Sequence, residues 1–380
     1  MSSYPEKKLN TARSGIVICG SYGLGNAGDE SILKAILQEV REAAPGEEIT
    51  VLSRNPAETT ARHGVPAAHM FNLPALRRLL RRARLYINGG GSLIQDVTSR
   101  RSLWYYLYTL RTAKRLGCKV LMYGCGIGPV IRPHDAAVTR RVLNRYVDAI
   151  TLREDSSLGE LTRFGVTEPE IILSADPALT LRRASEEEID ALMTRCGLDP
   201  RGAYLGLCLR SWPGFEQKAP AFAAMIRYAE EQYGLRPVFL TINHRSDGAA
   251  ADMVLRVLGQ EACVLRKPLE TELMLGLFSR MQAIVSMRLH GLIFAAGQGV
   301  PLVGVVYDPK VSSFLSYMGQ DLYEDLSDVT EDSLRQKLDR ALALRNNLSA
   351  LEKAVAHLRS IEQHNSDMMK KLLDDADASK

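Results

Sequence analysis

The 380-residue chain lacks any apolar run of about 18 residues or more, and its N-terminal segment, Met1–Ser14, is polar. We therefore expect no membrane-spanning helix, and the polar start argues against the apolar core of a secretory signal. The six cysteines are scattered, with no Cys-x-x-Cys pair and no Cys/His spacing that suits zinc. Most lie in apolar strand-like runs, which predicts buried, reduced thiols and a cytoplasmic location.

The sequence also lacks low-complexity tracts, short-period repeats and a carboxylate cluster that would hold a catalytic metal, so we expect no essential metal. Its formal net charge of +4 is modest, which argues against a dedicated nucleic-acid binder but permits an anionic substrate. A chain of this length, 46% hydrophobic and 24% charged, suits two globular domains of similar size.

Short apolar strands alternate with amphipathic helices in two separate series. The break lies at 182–202, where Ser185 and Glu188 form the pattern of a capping box that opens a new helix. Alternation of this kind predicts parallel sheets built from βαβ units. We therefore predict an α/β protein with an N-terminal domain at 1–183 and a C-terminal domain at 184–380 that includes the C-terminal helices. Both would be doubly wound, Rossmann-like domains facing a cleft.

The first predicted strand is followed by a glycine-rich turn, Gly23–Asp29, which matches the Gly-x-Gly-x-x-Gly dinucleotide pattern. Against a dinucleotide, Asp29 and Glu30 would repel a pyrophosphate at the helix N-terminus, and the next strand ends at Arg54 without an acidic residue for a ribose. Arg54 would suit only NADP. A capped tight turn explains the glycines and Asp29 but not Asn26, which suits hydrogen bonds to a polyhydroxylated ligand.

Two further glycine-rich segments, Asn88–Ser92 and Tyr123–Pro129, follow predicted strands of the same series. Successive glycines expose backbone N–H groups, which can bind an oxyanion or sugar hydroxyls. A close chain crossing explains each segment equally well. Because all three turns follow strands of one parallel sheet, together they favour a binding rim at its carboxyl edge.

Basic residues stand at the predicted ends of several strands. Arg153 and Arg210 each follow an apolar strand, although a surface ion pair is the simpler interpretation of a lone arginine. A third strand ends at Arg288, with His290 just before an apolar helix, and the next strand leads to Lys310. We expect these last three residues to converge on one edge as an anion-binding site with a histidine that can act as acid or base.

These motifs, in this order, resemble those of the polysaccharide pyruvyl transferase family, and within it they are most similar to the bacterial ketal-pyruvyltransferases of secondary cell wall polymers. The resemblance runs from about Gly15 to Phe314. It rests on the Gly-x-x-Asn-x-Gly-Asp turn at Gly23–Asp29, Asn88-Gly-Gly-Gly, Arg153-Glu-Asp-Ser, Arg288-Leu-His-Gly and Tyr307-Asp-Pro-Lys.

The resemblance implies a fold like that of the two-Rossmann-domain (GT-B-like) glycosyltransferases, with phosphoenolpyruvate as co-substrate and no other cofactor. The acceptor would be a lipid-linked cell-wall glycan used in S-layer anchoring, with N-acetylmannosamine as the sugar that becomes a 4,6-ketal, and phosphate would be released.

The resemblance also implies roles for individual residues. The catalytic group would be His290, Arg288 and Lys310. The phosphoenolpyruvate site would add Arg153, Arg210 and Leu289. The acceptor wall would be formed by Gly25, Asn26, Asp29, Gly90, Gly91 and Ser92.

The residue types suit this chemistry. Arginine binds carboxylate and phosphate in bidentate fashion. His290 would protonate the methylene carbon, and Arg288 and Lys310 would stabilise the departing phosphate.

One predicted helix is crowded with arginines at positions 77, 78, 81, 82 and 84, followed by Arg100 and Arg101. A solvated helix face is the simpler interpretation. The alternative is docking to anionic lipid headgroups at the inner membrane face, or to the pyrophosphate of a lipid-linked glycan.

Three other functions remain open from the sequence. A nucleotide-sugar glycosyltransferase would share the architecture, and a non-catalytic glycan-binding protein could use the same fold without its chemistry. An NADP oxidoreductase would make use of the first glycine turn.

Overall fold

The structure is a computed structural model that describes residues 13–345 and 347–378. The polar segment Met1–Ser14 therefore lies almost wholly outside the described residues. The strands of the first half are β1 (Ile16–Cys19), β2 (Ile49–Ser53), β3 (Ala67–His69), β4 (Leu85–Ile94), β5 (Lys119–Ile127), β6 (Ala149–Leu152) and β7 (Glu170–Leu173). Those of the second half are β8 (Tyr204–Cys208), β9 (Arg236–Leu240), β10 (Cys263–Leu265), β11 (Ala283–Ser286), β12 (Leu302–Val306) and β13 (Tyr323–Asp325).

The helices of the first half are α1 (Ala27–Ala43), α2 (Pro56–His63), α3 (Leu73–Arg82), α4 (Arg100–Arg115), α5 (Pro133–Tyr146) and α6 (Ser156–Phe164). A 3-10 helix, Pro177–Thr180, follows β7. The later helices are α7 (Glu186–Arg195), α8 (Phe215–Tyr233), α9 (Gly248–Leu258), α10 (Thr271–Ser279), α11 (Leu289–Gly297), α12 (Pro309–Tyr317), α13 (Glu331–Leu344) and α14 (Ser349–Ala378). No helix in the described part is long and apolar enough to cross a membrane.

The strands form two parallel sheets, with the orders β3-β2-β1-β4-β5-β6-β7 and β10-β9-β8-β11-β12-β13. In each sheet the first strand lies centrally and the chain winds outward in both directions, which is the Rossmann order. The predicted α/β class with two doubly wound halves is confirmed. The capping box between the two series is also present, with Ser185 and Glu188 bonded reciprocally at the start of α7.

Both faces of each sheet are covered. On the first sheet, the apolar sides of α3 to α6 pack against one face and α1 packs against the other. The second sheet has α8, α9 and α13 on one face and α10, α11 and α12 on the other. Parallel strands that are buried on both faces need apolar residues on both sides. The sequences of these strands are therefore nearly continuous hydrophobic runs.

The second and third glycine-rich segments differ from the sequence prediction of turns. Asn88–Ser92 lies inside β4, and β5 runs on to Ile127, so both strands are longer than their apolar runs. Gly90 and Gly91 adopt positive φ values of 66° and 70°, and the β4–β5 register shifts just after them. The strand pairing continues through the glycines because they accept the left-handed conformation that other residues avoid.

The last helix, α14, contacts both halves of the fold. Its first part contributes Leu351, Val355 and Leu358 to the core beneath the second sheet. Its last part contributes a second group, which packs with α1 against the first sheet: Met368, Met369, Leu372 and Leu373. The sequence division placed all of this helix in the domain at 184–380. The structure instead uses its C-terminal half to cover the sheet of the other domain, because α1 alone leaves part of that apolar face open.

Replacing Met369 by alanine should lower the free energy of unfolding by about 2–5 kcal/mol, because the side chain is fully buried in the first core and leaves a cavity. Urea denaturation measures the loss. Leu344→Ala is the matched control, since Leu344 is 42% exposed on α13, and it should cost less than about 0.5 kcal/mol. Equal, small effects of both substitutions would show that α14 does not contribute to the first core.

Candidate active site

The carboxyl ends of the two sheets face each other. The loop after β9 meets the residues after β1, where the backbone N–H of Ala27 donates to the carbonyl of Ile242 at 2.7 Å and Asn26 pairs with Asn243. Farther along, the hydroxyl of Tyr317 on α12 donates to the carbonyl of Ser174 at 3.2 Å. The cleft between these contacts lies beside the switch points of both sheets, where doubly wound folds bind ligands.

His290 comes from the second domain and reaches the first. Arg288 is the N-cap of α11, so His290 lies inside the first helical turn, one turn earlier than the sequence placed the helix start. Its imidazole is buried and packs against Gly28 in α1 so closely that a Cβ at position 28 would overlap the ring. The early start of α11 and the absence of a side chain at Gly28 together bring the imidazole of His290 to the opposite domain.

The nearest charged group to the imidazole is Asp176. Nε2 of His290 lies 3.6 Å from Oδ2 of Asp176, which is too long for a hydrogen bond. Nε2 is buried and has no hydrogen-bond partner within the described residues. Asp176 is itself fixed, because it follows β7 and its Oδ1 accepts from the N–H of Ala178 at 3.0 Å. Burial alone would raise the pKa of Asp176, but the facing His290 and Arg153 hold it below the usual value.

Arg153 follows β6 and is buried inside the first domain. Its Nε donates to Glu154 at 2.7 Å, Nη1 to Asp176 at 3.1 Å and Nη2 to the hydroxyl of Ser92 at 3.2 Å. Three of the five N–H donors of the guanidinium are thus bound by the protein, which leaves two for a ligand. The structure brings Arg153 and Ser92 together, although the sequence assigned them to opposite substrates.

Asp29, in the first turn of α1, completes the polar cluster. Burial raises the pKa of its carboxyl to about 6, and the nearby His290 and Arg153 oppose part of that rise. Gly91 approaches it, since a Cβ there would lie 3.4 Å from Oδ1. A carboxyl that titrates near neutrality beside a histidine is a group that can transfer protons.

The first glycine turn is closed by the protein itself. The N–H of Gly23 donates to Oε1 of Glu30 at 2.8 Å, and Oδ1 of Asn26 accepts from the N–H of Gly28 at 2.9 Å. A carboxylate therefore stands where a dinucleotide pyrophosphate would bind. Gly25 is packed against the second domain, because a Cβ there would overlap the imidazole of His244. Gly90 is similarly close to Ile32 of α1.

Arg288 lies at the end of β11, as predicted, but it is turned toward the loop after β9. Its guanidinium binds both carboxylate oxygens of Asp247, with Nε at 3.0 Å from Oδ2, and Nη2 also donates to Ser246 at 3.3 Å. Asp247 is buried and accepts from the N–H groups of Ile242 and Asn243.

The loop 241–247 was not predicted as part of the site. A signal for it lies in the sequence, as the run Thr-Ile-Asn-His-Arg-Ser-Asp just after an apolar strand. The other candidate residues likewise lie at the carboxyl ends of apolar strands.

Lys310 and Arg210 follow β12 and β8, which are the strands on either side of β11. Nζ of Lys310 lies 2.9 Å from Asp308, and Arg210 donates to the hydroxyl of Tyr307 at 2.8 Å. The guanidinium of Arg210 lies over the rings of Trp212 and Tyr307, and no carboxylate in the described residues forms an ion pair with it. Trp212 and Tyr307 also line a pocket of about 520 Å³.

Arg288, His290 and Lys310, which we expected to converge, share only the carboxyl edge of the second sheet. All three follow the adjacent strands β11 and β12. No contact joins them in the described structure, because each side chain faces a different partner, namely Asp247, Asp176 or Asp308. In the same part of the chain, no group of three or more His, Cys, Asp or Glu side chains is arranged to hold a metal ion.

Two facing Rossmann-like sheets with a polar cleft define a GT-B-like enzyme fold. The chain belongs to the polysaccharide pyruvyl transferase family, whose model matches residues 26–309. It is accordingly a pyruvyltransferase. The amylovoran biosynthesis protein AmsJ of Erwinia amylovora is 23% identical over an alignment that covers 92% of this chain and 95% of AmsJ.

Solved structures of low sequence identity share the fold. HepE of Anabaena in complex with UDP-glucose aligns with a TM-score of 0.63 at 12% identity, covering 94% of this chain and 99% of HepE. The UDP-GlcNAc 2-epimerase of Methanocaldococcus jannaschii gives a TM-score of 0.63 at 14% identity, covering 91% and 99%. These likenesses confirm the predicted GT-B-like architecture.

Asp29→Asn should change the pH dependence of stability. A carboxyl with a raised folded pKa favours folding below its unfolded pKa, and this contribution is lost as pH rises through about 6. The asparagine variant should therefore gain about 1–3 kcal/mol relative to the native protein between about pH 4 and pH 8. Urea denaturation at both values measures this.

Glu48→Gln is the control for this experiment, because Glu48 is an exposed carboxyl away from the cleft. A stability difference between Asp29→Asn and the native protein that stays constant with pH would contradict a raised pKa.

Proposed function

We propose that this enzyme transfers the pyruvyl group of phosphoenolpyruvate onto two hydroxyls of one sugar as a cyclic ketal and releases phosphate. The acceptor is a lipid-linked precursor of a secondary cell wall polysaccharide, with N-acetylmannosamine as the 4,6-ketal sugar. The family assignment supports pyruvyl transfer to a polysaccharide. The choice of donor, sugar and lipid carrier is the proposal.

The observation that carries the proposal is the imidazole of His290. Its Nε2 is buried and unpartnered, faces the carboxylate of Asp176 and lies where the two domains meet. An unsatisfied buried nitrogen is costly, so it favours a ligand or a proton at that position. A histidine placed in this way can act as the proton donor to a bound substrate.

The reaction then balances without a redox step. His290 gives its proton to the methylene carbon of phosphoenolpyruvate, which leaves an electrophilic carbon at C2. One sugar hydroxyl attacks that carbon, and its proton returns to the imidazole of His290. The second hydroxyl attacks the same carbon as the C–O bond to phosphate breaks, and its proton leaves with the site base. Asp29 suits this last role, because its pKa of about 6 allows it to cycle between both forms.

The anionic donor would be held by the cations along the cleft. Arg210 has no carboxylate partner in the described residues and is rigidly placed by Trp212 and Tyr307. Arg153 retains two N–H donors beside Asp176. Arg288 and Lys310 each carry one carboxylate partner, which a phosphate or carboxylate would exchange for itself during binding. Leu289 would contribute backbone at the start of α11.

The acceptor would lie against the first domain. The amide nitrogen of Asn26 has no partner in the described structure, since only its oxygen caps α1. Ser92 offers a hydroxyl beside Arg153. Gly91 keeps this wall free of a side chain, so a sugar ring would approach the backbone closely there, whereas Gly25 and Gly90 face His244 and Ile32.

His290→Gln should reduce phosphate release from phosphoenolpyruvate by about 10²–10⁴-fold, because glutamine keeps the polar contacts but cannot supply the proton. The assay uses an N-acetylmannosamine-containing acceptor, and mass spectrometry identifies the ketal. His357→Gln, an exposed histidine on α14, should leave the rate unchanged. Near-normal turnover of His290→Gln would remove the histidine from the mechanism.

The donor can be tested without the acceptor. Phosphoenolpyruvate at about 100 times its Kd should add about 2.7 kcal/mol to the free energy of unfolding and raise Tm. UDP-N-acetylglucosamine should leave Tm unchanged. The opposite result would favour a nucleotide-sugar glycosyltransferase, and no response to either compound would favour a non-catalytic glycan-binding protein.

A further inference from the structure

Exposed apolar side chains gather at one edge of the first sheet. Phe71 is 49% exposed, Val97 56%, Trp104 39% and Ile131 64%, and Leu73 is 37% exposed. Solvent-exposed aromatic and aliphatic groups of this size are unremarkable singly, but a contiguous set indicates an interaction site.

The five side chains lie on successive βα connections. Phe71 and Leu73 follow β3, Val97 and Trp104 follow β4, and Ile131 follows β5. Since the strands are parallel, all of these connections emerge at the carboxyl edge of the sheet. The proposed acceptor wall, formed by residues after β1 and within β4, lies at the same edge.

Contacts join these residues into one surface. The ring of Phe71 meets Tyr105 edge-on at 5.1 Å, next to Trp104 in α4. Trp104 stacks on His134 at 5.8 Å. The backbone N–H of Ile131 donates to Asp96, the neighbour of Val97, at 2.8 Å. We call the surface formed by Phe71, Leu73, Val97, Trp104 and Ile131 the edge surface.

Arginines surround the edge surface. Arg54 lies 4.8 Å from the centroid of the Phe71 ring. Further exposed arginines, none of which has a carboxylate partner in the described residues, follow in the middle of α3 and at the start of α4: Arg77, Arg78 and Arg101. Arg81 and Arg82 lie in the last turn of α3, toward the amino edge of the sheet. The acidic groups here, Asp96 and Asp135, are buried and already paired with Arg132 and Arg100. The exposed charge is therefore positive.

We propose that the edge surface docks on a bilayer containing anionic lipids, with Phe71, Trp104 and Ile131 at the interface and the arginines on the headgroups. Aromatic rings favour the membrane interface, and arginines near it are attracted by anionic headgroups. A single soluble anion would explain the arginines but not the apolar side chains between them.

This inference rests on the proposed function, because it names how a lipid-linked acceptor reaches the site. Docking here places the bilayer at the same edge of the first sheet as Asn26, Asp29 and Ser92. The sugar could then enter the cleft while its lipid remains in the membrane.

The test measures sedimentation of the full chain with phosphatidylglycerol vesicles and with phosphatidylcholine vesicles. The native protein should bind the anionic vesicles, and added salt should weaken the binding. Arg77→Glu with Arg78→Glu, and separately Phe71→Ser with Trp104→Ser, should each weaken binding by about tenfold or more. Circular dichroism and Tm show that each variant is folded.

The matched control is Arg195→Glu with Arg201→Glu. It makes the same change in net charge on exposed residues without a described carboxylate partner, and Arg201 precedes β8 at the opposite edge of the second sheet. This variant should bind like the native protein. Equal loss in the control and the α3 variant, or no native binding to anionic vesicles, would overturn the docking surface.

Trp104 gives a direct readout. The chain has two tryptophans, so Trp212→Phe leaves Trp104 as the sole indole. Its emission should shift to the blue with anionic vesicles and be quenched by brominated lipid. An unchanged spectrum on bound vesicles would place the contact elsewhere and contradict the proposal.

Failure of the two proposals can be told apart. The edge-surface variants should still release phosphate at the native rate with a water-soluble acceptor, and lose rate only with a vesicle-bound one. Vesicle binding without any ketal product would refute the proposed function and leave the docking surface standing. Ketal formation without vesicle binding would refute the docking surface and leave the proposed function standing.

Discussion

The contact between Gly28 and His290 is the constraint on which the site depends. A side chain at position 28 would occupy the space of the imidazole, so His290 reaches Asp176 only because the second residue of α1 has none. Gly25 does the same for His244. The glycines that resemble a nucleotide fingerprint thus serve domain docking here, because a close approach between two helix starts needs the same lack of Cβ as an approach to a pyrophosphate.

Charge pairing is the second organising feature of the cleft. Arg153, Arg288 and Lys310 each face a carboxylate of the protein itself, with Glu154 and Asp176, Asp247, and Asp308 as the partners. A buried cation without a partner would be costly, so the fold neutralises these groups while the cleft is free of substrate. Binding of the proposed anionic donor would then be an exchange of partners, in which the gain is the difference between two charge-assisted interactions. Arg210 lies over aromatic rings and has no carboxylate partner in the described residues, so an anion would not have to displace one.

Much of this architecture was predictable from the sequence. The alternation of strands and helices, the capping box at Ser185 and the positions of Arg153, Arg288 and Lys310 at strand ends all follow from local patterns. The strands β3 and β13 were not predicted, because Ala67–His69 and Tyr323–Asp325 contain no apolar run. The direction of each arginine was not predictable, since its partner, such as Asp247, is distant in sequence and chosen by tertiary packing. Asp29 was predicted as an acceptor contact, and its raised pKa follows only from the desolvation that the folded chain imposes on it.

The site is built from both domains, and this has a consequence for how it works. His290 belongs to the second sheet, whereas Asp176, Arg153 and Asp29 belong to the first, so the group proposed to transfer protons exists only while the sheets are together. Two connections oppose their separation. The backbone of Ala27 is bonded to Ile242, and α14 packs against both sheets. A motion that opened the cleft to admit a glycan would move His290 away from Asp176 and Asp29. Under the proposed mechanism, opening and proton transfer would be separate states, which would couple acceptor entry to proton transfer.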